Sequence, residues 1–114
     1  KTNKFNAIYV RFVIHAMPEY DEISLIKECH NMLEEGGCLY IECRSINDPL
    51  SQKGEVISQT ERIYGHYRRF IIKDQLIGNL QSADFKIKDN VEISNVSICK
   101  NDNPVVIRVT AVKK

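Results

Sequence analysis

Residues 5–14, FNAIYVRFVI, form a nearly continuous apolar and aromatic run that Asn6 and Arg11 alone interrupt. So short a run suits a strand covered on both faces, as in a parallel sheet. It is far below the roughly 20 apolar residues that a membrane-spanning helix needs. A first strand is therefore predicted over residues 5–10, reaching Ile14.

Pro18 then fixes one backbone angle, and Glu19, Asp21 and Glu22 bring negative charge suited to a helix N-terminus. Ile23, Ile26, His30 and Leu33 follow at three- and four-residue steps, with Leu25, Cys29 and Met32 widening the stripe. Gly36 can take the left-handed conformation that closes such a helix, and Gly37 loosens the turn into a second strand over 38–43. A crossover of this length makes a right-handed βαβ unit with parallel strands.

From Ser45 to Arg69 no period holds, and a loop of some two dozen residues is expected; loops beyond about 15 residues tend to be lids or binding segments. A helix follows over 72–83, with Leu76, Ile77 and Leu80 inward and Gly78 weakening it. A third, irregular strand is expected over 85–93, extended past a bulge by 96–99. Asn101, Asp102 and Asn103 form a turn, and Pro104 leads into a last strand over 105–112. The fold class is α/β, in the order β-α-β, long loop, α-β-β, with an antiparallel terminal hairpin.

The net charge of +1 over 114 residues lacks the footprint of a nucleic-acid binder. Cys29, Cys38, Cys43 and Cys99 form no CxxC pair, and no histidine cluster has zinc-finger spacing, so free thiols in a cytoplasmic protein and no metal site are expected. Residues 1–6 and the broken apolar run after them do not fit a secretory signal. The chain reads as a single domain that opens without methionine, directly before a strand, as a truncated or processed start would.

This order resembles the C-terminal half of the class I S-adenosylmethionine-dependent methyltransferase domain, a Rossmann-like sheet that ends with a reversed strand inserted beside its neighbour. FNAIYVRFVIHAM at 5–17 is similar to the family's fourth strand and following turn, and LIKECHNMLEEGGCLYIECRS at 25–45 to the next helix, Gly-Gly turn and fifth strand. GHYRRF at 65–70 and PVVIRVTAVKK at 104–114 are similar to a bacterial subgroup. The resemblance implies methyl transfer with S-adenosylmethionine as cofactor. It also implies a larger domain, because the family's glycine-rich turn has no G-x-G counterpart here.

Ligands of open α/β sheets sit outside the carboxyl ends of the strands, which places residues 11–15 and 42–48 at one crevice. The resemblance implies that Arg11, with Phe12, lies beside the cofactor's amino-acid end; a salt bridge from Arg11 to Glu42 is the structural alternative. His15 can act as a general base, orient an acceptor or cap its turn. Glu42 and Arg44 share a strand face with Tyr40, so Glu42 either contacts substrate or pairs with Arg11 or Arg44. In the GHYRRF segment His66 offers a proton site, Tyr67 an amphipathic ring, and Arg68 and Arg69 forked donors for carboxylate or phosphate; a solvated surface is the alternative. Asp48 reads as a turn residue, His30 as structural, and Arg108 as covering a sheet face with its stem.

The expected function is methyl transfer to a small acceptor, anionic or sugar-like, with no nucleic-acid or membrane partner. The rival is a non-enzymatic α/β module for protein association. The first strand, if it is an edge in this chain, is expected to drive formation of a two-fold dimer.

Overall fold

A computed structural model describes residues 4–114; residues 1–3, part of the stretch read above against a secretory signal, lie outside the described residues. Strand β1 (Phe5–Arg11) leads through a 3-10 turn at Ile14–Ala16 to helix α1 (Glu19–Met32) and strand β2 (Leu33–Arg44). The two strands pair in parallel, with Tyr9 opposite Tyr40 and Arg11 opposite Glu42, as a right-handed crossover requires. Helix α2 follows at Lys73–Ser82, then strands β6 (Phe85–Ile93) and β7 (Val106–Lys113). β7 inserts between β2 and β6, antiparallel to both, giving the order β1-β2-β7-β6. The predicted α/β class and the reversed terminal strand are both present.

Strand alternation divides the sheet into two unlike faces. Val10, Leu39, Ile41, Cys43, Ile107, Val109 and Ala111 share one buried core with Ile26 and Cys29 of α1 and Leu76 and Leu80 of α2. Tyr9, Arg11, Tyr40, Glu42, Arg108 and Thr110 lie in register on the other face. No described helix packs there, and Tyr9 is 74% exposed. Among the described residues β1 pairs on one side only and is covered on one face.

Other boundaries shift for local reasons. β1 stops at Arg11 instead of reaching Ile14, because Phe12 takes a left-handed φ of 57° that ends the extended run. α1 closes at Met32 with Leu33 already extended, so Gly36 does not cap it. Gly36, at φ 79°, instead shapes a bulge in which residues 33–38 of β2 oppose residues 5–7 of β1. A side chain on Gly37 would meet the Glu34 carbonyl at 2.9 Å and the Asn6 carbonyl at 3.3 Å, so only glycine lets the bulge close. The stretch 45–69 is not an irregular loop. It holds a 3-10 turn at Pro49–Gln52 and a three-stranded antiparallel flap, β3 (Glu55–Val56), β4 (Glu61–Tyr64) and β5 (His66–Arg69). Strands this short fall below the length at which a period shows. Residues 96–99 do not extend β6; Cys99 forms an isolated bridge with Asp102 across a tight turn.

Of the stripe read from sequence, Ile26, Cys29 and the following Leu33 are buried and Ile23, Leu25 and His30 half-buried, while Met32 is exposed and Glu22 joins the buried side. Glu22 reads from sequence as an exposed N-terminal acid, yet it is 1% exposed and bonded to the Arg69 guanidinium. Arg69 also donates from Nε to the Met17 carbonyl at 2.7 Å, and Asn79 of α2 donates to the second Glu22 oxygen at 2.8 Å. One carboxylate thus fastens the flap to both helices. Removing one partner of a buried ion pair leaves the other charge uncompensated. Arg69→Met is expected to cost about 3–5 kcal/mol in a urea titration, and Glu22→Leu combined with it to recover most of that loss. A single-variant loss below about 1 kcal/mol would mark the pair as solvent-screened.

Candidate functional site

β1 and β2 run in parallel, so the segments after them emerge at one end of the sheet. Phe12 donates its backbone N–H to the Glu42 carbonyl at 2.7 Å, which holds the turn to β2 while its left-handed backbone redirects the chain. A non-glycine residue in that conformation carries strain of about 1–3 kcal/mol, which the surrounding contacts must offset. Ile14, fully buried, anchors the turn in the core and sets His15 above β2.

The His15 ring lies tilted against Phe12 at 5.5 Å between centroids, and its Nδ1 accepts the Arg44 backbone N–H at 3.4 Å. Burial, followed by the positive charges of Arg44 and Arg68, lowers its pKa from 6.5 to about 4. The ring is therefore neutral at pH 7. With Nδ1 accepting, the proton sits on Nε2, and the exposed chemistry of the ring is that of a hydrogen-bond donor. Of the three roles read from sequence, the bond from Arg44 fits the ring that caps its turn, and its Nε2–H remains as a donor.

Glu42 gathers three neighbours. Arg11 donates from Nε to Oε1 at 2.7 Å, while Arg108 Nε at 2.7 Å and Ser97 Oγ at 2.8 Å donate to Oε2. Burial works to raise this carboxyl, but the bonds from Arg108, Ser97 and Arg11 outweigh it and hold the group below the usual carboxylate range. Arg44 does not join them. It pairs with Asp48 at 2.7 Å and with Asp102, so Asp48 is more than a turn residue. Arg108, read as covering a sheet face with its stem, lies on that face and also pairs with Glu42. The Arg11 side chain stays 65% exposed despite its bond and lies 4.7 Å from the Phe12 ring centre.

Arg68 and Arg69, adjacent on β5, part company because consecutive strand side chains point to opposite sides. Arg69 turns inward to Glu22. Arg68 is half-buried, lines a cavity of about 660 Å³ with Arg44 and Asp48, and encloses an Nε that has no partner among the described residues. Tyr67 donates to Glu61 at 2.7 Å, and burial together with that bond pushes its pKa up to about 12. His66 is exposed beside the flap turn, with no described contact to His15. The site thus brings Arg11, Phe12, His15, Glu42, Arg44 and Arg68 to one end of the sheet, and turns Arg69 and Tyr67 to structural partners. Sequence reading places Ser97 in an extension of the third strand and Asp102 in a turn, and assigns neither an ionic partner; both lie in the connection between β6 and β7.

Neither a protein-family model nor a curated protein matches the sequence. The fold is nonetheless that of S-adenosylmethionine-dependent methyltransferases. The chain superimposes on one from Methanosarcina mazei with a TM-score of 0.76 at 16% identity, covering 97% of this chain and 60% of that one. One from Clostridium acetobutylicum gives 0.73 at 15% identity over 99% of this chain and 60% of that one. The glycopeptide N-methyltransferase MtfA gives 0.70 at 16% identity over 98% and 59%. The chain therefore spans about 60% of the length of the structures it matches. Among the described residues no helix is long and apolar enough to cross a membrane.

The His15 environment makes a direct prediction. Imidazole nitrogen and proton shifts followed by NMR should show His15 protonated on Nε2 at pH 7 with an inflection near pH 4. A folded-state pKa below the unfolded value of 6.5 means that the stability tied to this ring is complete above pH 6.5. It is lost as pH falls toward 4. An inflection near 6.5 would place the ring in solvent.

Proposed function

We propose that these 114 residues are part of a larger, cytoplasmic S-adenosylmethionine-dependent methyltransferase domain that acts on a small anionic or sugar-like acceptor. The observation that carries the reading is the turn after β1. Phe12 and a neutral His15 are fixed there at the carboxyl end of a parallel strand pair, in a fold shared with such enzymes. When bound, the cofactor supplies a methyl group on a cationic sulfur.

The residues present fit one wall of a site for it. A ring that protonates only near pH 4 and a phenyl face present no repelling charge to a sulfonium, and the exposed Arg11 guanidinium suits the carboxylate end of an amino-acid group. The ribose-gripping acid and glycine-rich turn of the family have no counterpart in this sequence. This chain's own contribution is alignment: His15 donates from Nε2 to the acceptor, Phe12 shields the reacting atoms from water, and Glu42 holds Arg11 in place. A donor in place of a base suits an acceptor atom that is nucleophilic without losing a proton first.

Calorimetry tests the assignment. A longer polypeptide carrying an upstream glycine-rich half is expected to bind S-adenosylmethionine at micromolar concentration, and the 114 residues alone to bind it weakly or not at all. Micromolar binding by the 114 residues would overturn the partition, and no binding by the longer polypeptide would overturn the function.

The β1 edge favours association as a second reading. Among the described residues β1 pairs on one side only, and Phe5 and Tyr9 are 54% and 74% exposed. An unprotected edge invites strand pairing. Taken alone, the chain is expected to form a two-fold dimer through β1 or the open face beside it, with a mass in light scattering that falls on dilution. A monomer throughout the micromolar range would count against it.

A further inference from the structure

The cavity lined by Arg44 and Arg68 has an uneven charge balance. Arg44, Lys53, Arg68 and Lys100 line it together with Asp48 and Asp102, and both carboxylates are bonded to Arg44. Lys53, Arg68 and Lys100 have no carboxylate partner among the described residues. Arg68 also carries the enclosed Nε–H with no acceptor, and a buried donor without one costs about 1–3 kcal/mol. Lys100 sits at φ 56°, in the tight turn where Cys99 and Asp102 exchange backbone hydrogen bonds of 2.9 Å. Glycine or asparagine would hold that turn at lower cost, so the lysine is not explained by the backbone.

From these observations we infer that the cavity binds a dianionic phosphoryl group carried by the acceptor, with Arg68 as the forked donor and Lys53 and Lys100 as flanking point charges. The inference rests on the methyl-transfer reading for the word acceptor, and on the cavity's own charges for the phosphoryl group. Three cations without partners match two negative charges better than one, and the half-buried Arg68 guanidinium offers the planar fork that phosphate oxygens accept. At about 660 Å³ the cavity falls within the size range of small-molecule sites. His15 is tied to this cavity through Arg44, whose backbone N–H bonds its Nδ1 and whose side chain lines the cavity.

The test is calorimetry of the full-length protein with inorganic phosphate and, separately, acetate, at constant ionic strength. Phosphate is expected to bind and acetate to bind at least about tenfold more weakly. Arg68→Gln should weaken phosphate binding by about tenfold or more, and Lys53→Gln with Lys100→Gln should weaken it as well. Lys86→Gln, on the exposed side of β6, should leave it unchanged. Far-UV circular dichroism verifies that each variant is folded. Since a nearby anion favours the protonated ring, phosphate should also move the His15 NMR inflection upward from about 4, and less so in Arg68→Gln. No phosphate binding, equal binding of acetate, or unchanged phosphate binding in Arg68→Gln would overturn the proposal. S-adenosylmethionine is titrated into the same preparations. Cofactor binding without phosphate binding would overturn the phosphoryl assignment alone, and phosphate binding without cofactor binding would overturn methyl transfer alone.

Discussion

The carboxylate of Glu42 is the point through which the sheet and its functional end are coupled. It sits on the central strand pair and receives donors from β1 through Arg11, from β7 through Arg108 and from the β6–β7 connection through Ser97. A carboxylate at 8% exposure is tolerable only because its oxygens are satisfied and two cations share its charge. Its backbone carbonyl meanwhile takes the Phe12 N–H. The residue thus fixes both the side chain that precedes the turn after β1 and the backbone that starts it. What His15 can do follows from where that turn is held.

His15 then inherits its chemistry from β2 two residues further on. The Arg44 N–H occupies Nδ1, and the Arg44 charge adds to burial in keeping the ring neutral. Arg44 is itself held by Asp48 and Asp102, whose bonds outweigh the burial that would discharge it. The arrangement is a relay of fixed charges: two aspartates hold an arginine, and the arginine holds an imidazole in one protonation state and one tautomer. Such preorganisation holds the Nε2–H donor in one orientation.

Much of the fold was legible in the sequence because it rests on long periodic segments. The apolar run of β1, the acidic start of α1 and the turn residues before β7 each carry a local signal that tertiary structure did not override. The flap was not legible, since strands of two and four residues show no alternation that a reader can separate from an irregular loop. The buried side of α1 was legible except at Glu22, since hydrophobic periodicity gives a buried, paired acid no weight. Cover on both faces of β1 is met on one face among the described residues. Apolar composition reports that a surface can be buried, and the described residues supply helices for one face only.

The pair Arg68 and Arg69 marks the limit of reading a site from residue types. Two adjacent arginines in a polar stretch look like one anion-binding unit until the segment is known to be a strand. Alternation then sends them to different environments. Arg69 meets Glu22, 47 positions away in sequence, and becomes part of what holds the flap to the helices. Arg68 faces a cavity whose acids are already taken by Arg44. The functional difference between the two therefore does not lie in their chemistry, which is identical. It lies in whether a carboxylate is positioned to neutralise them, and that is decided by helix phase and strand register.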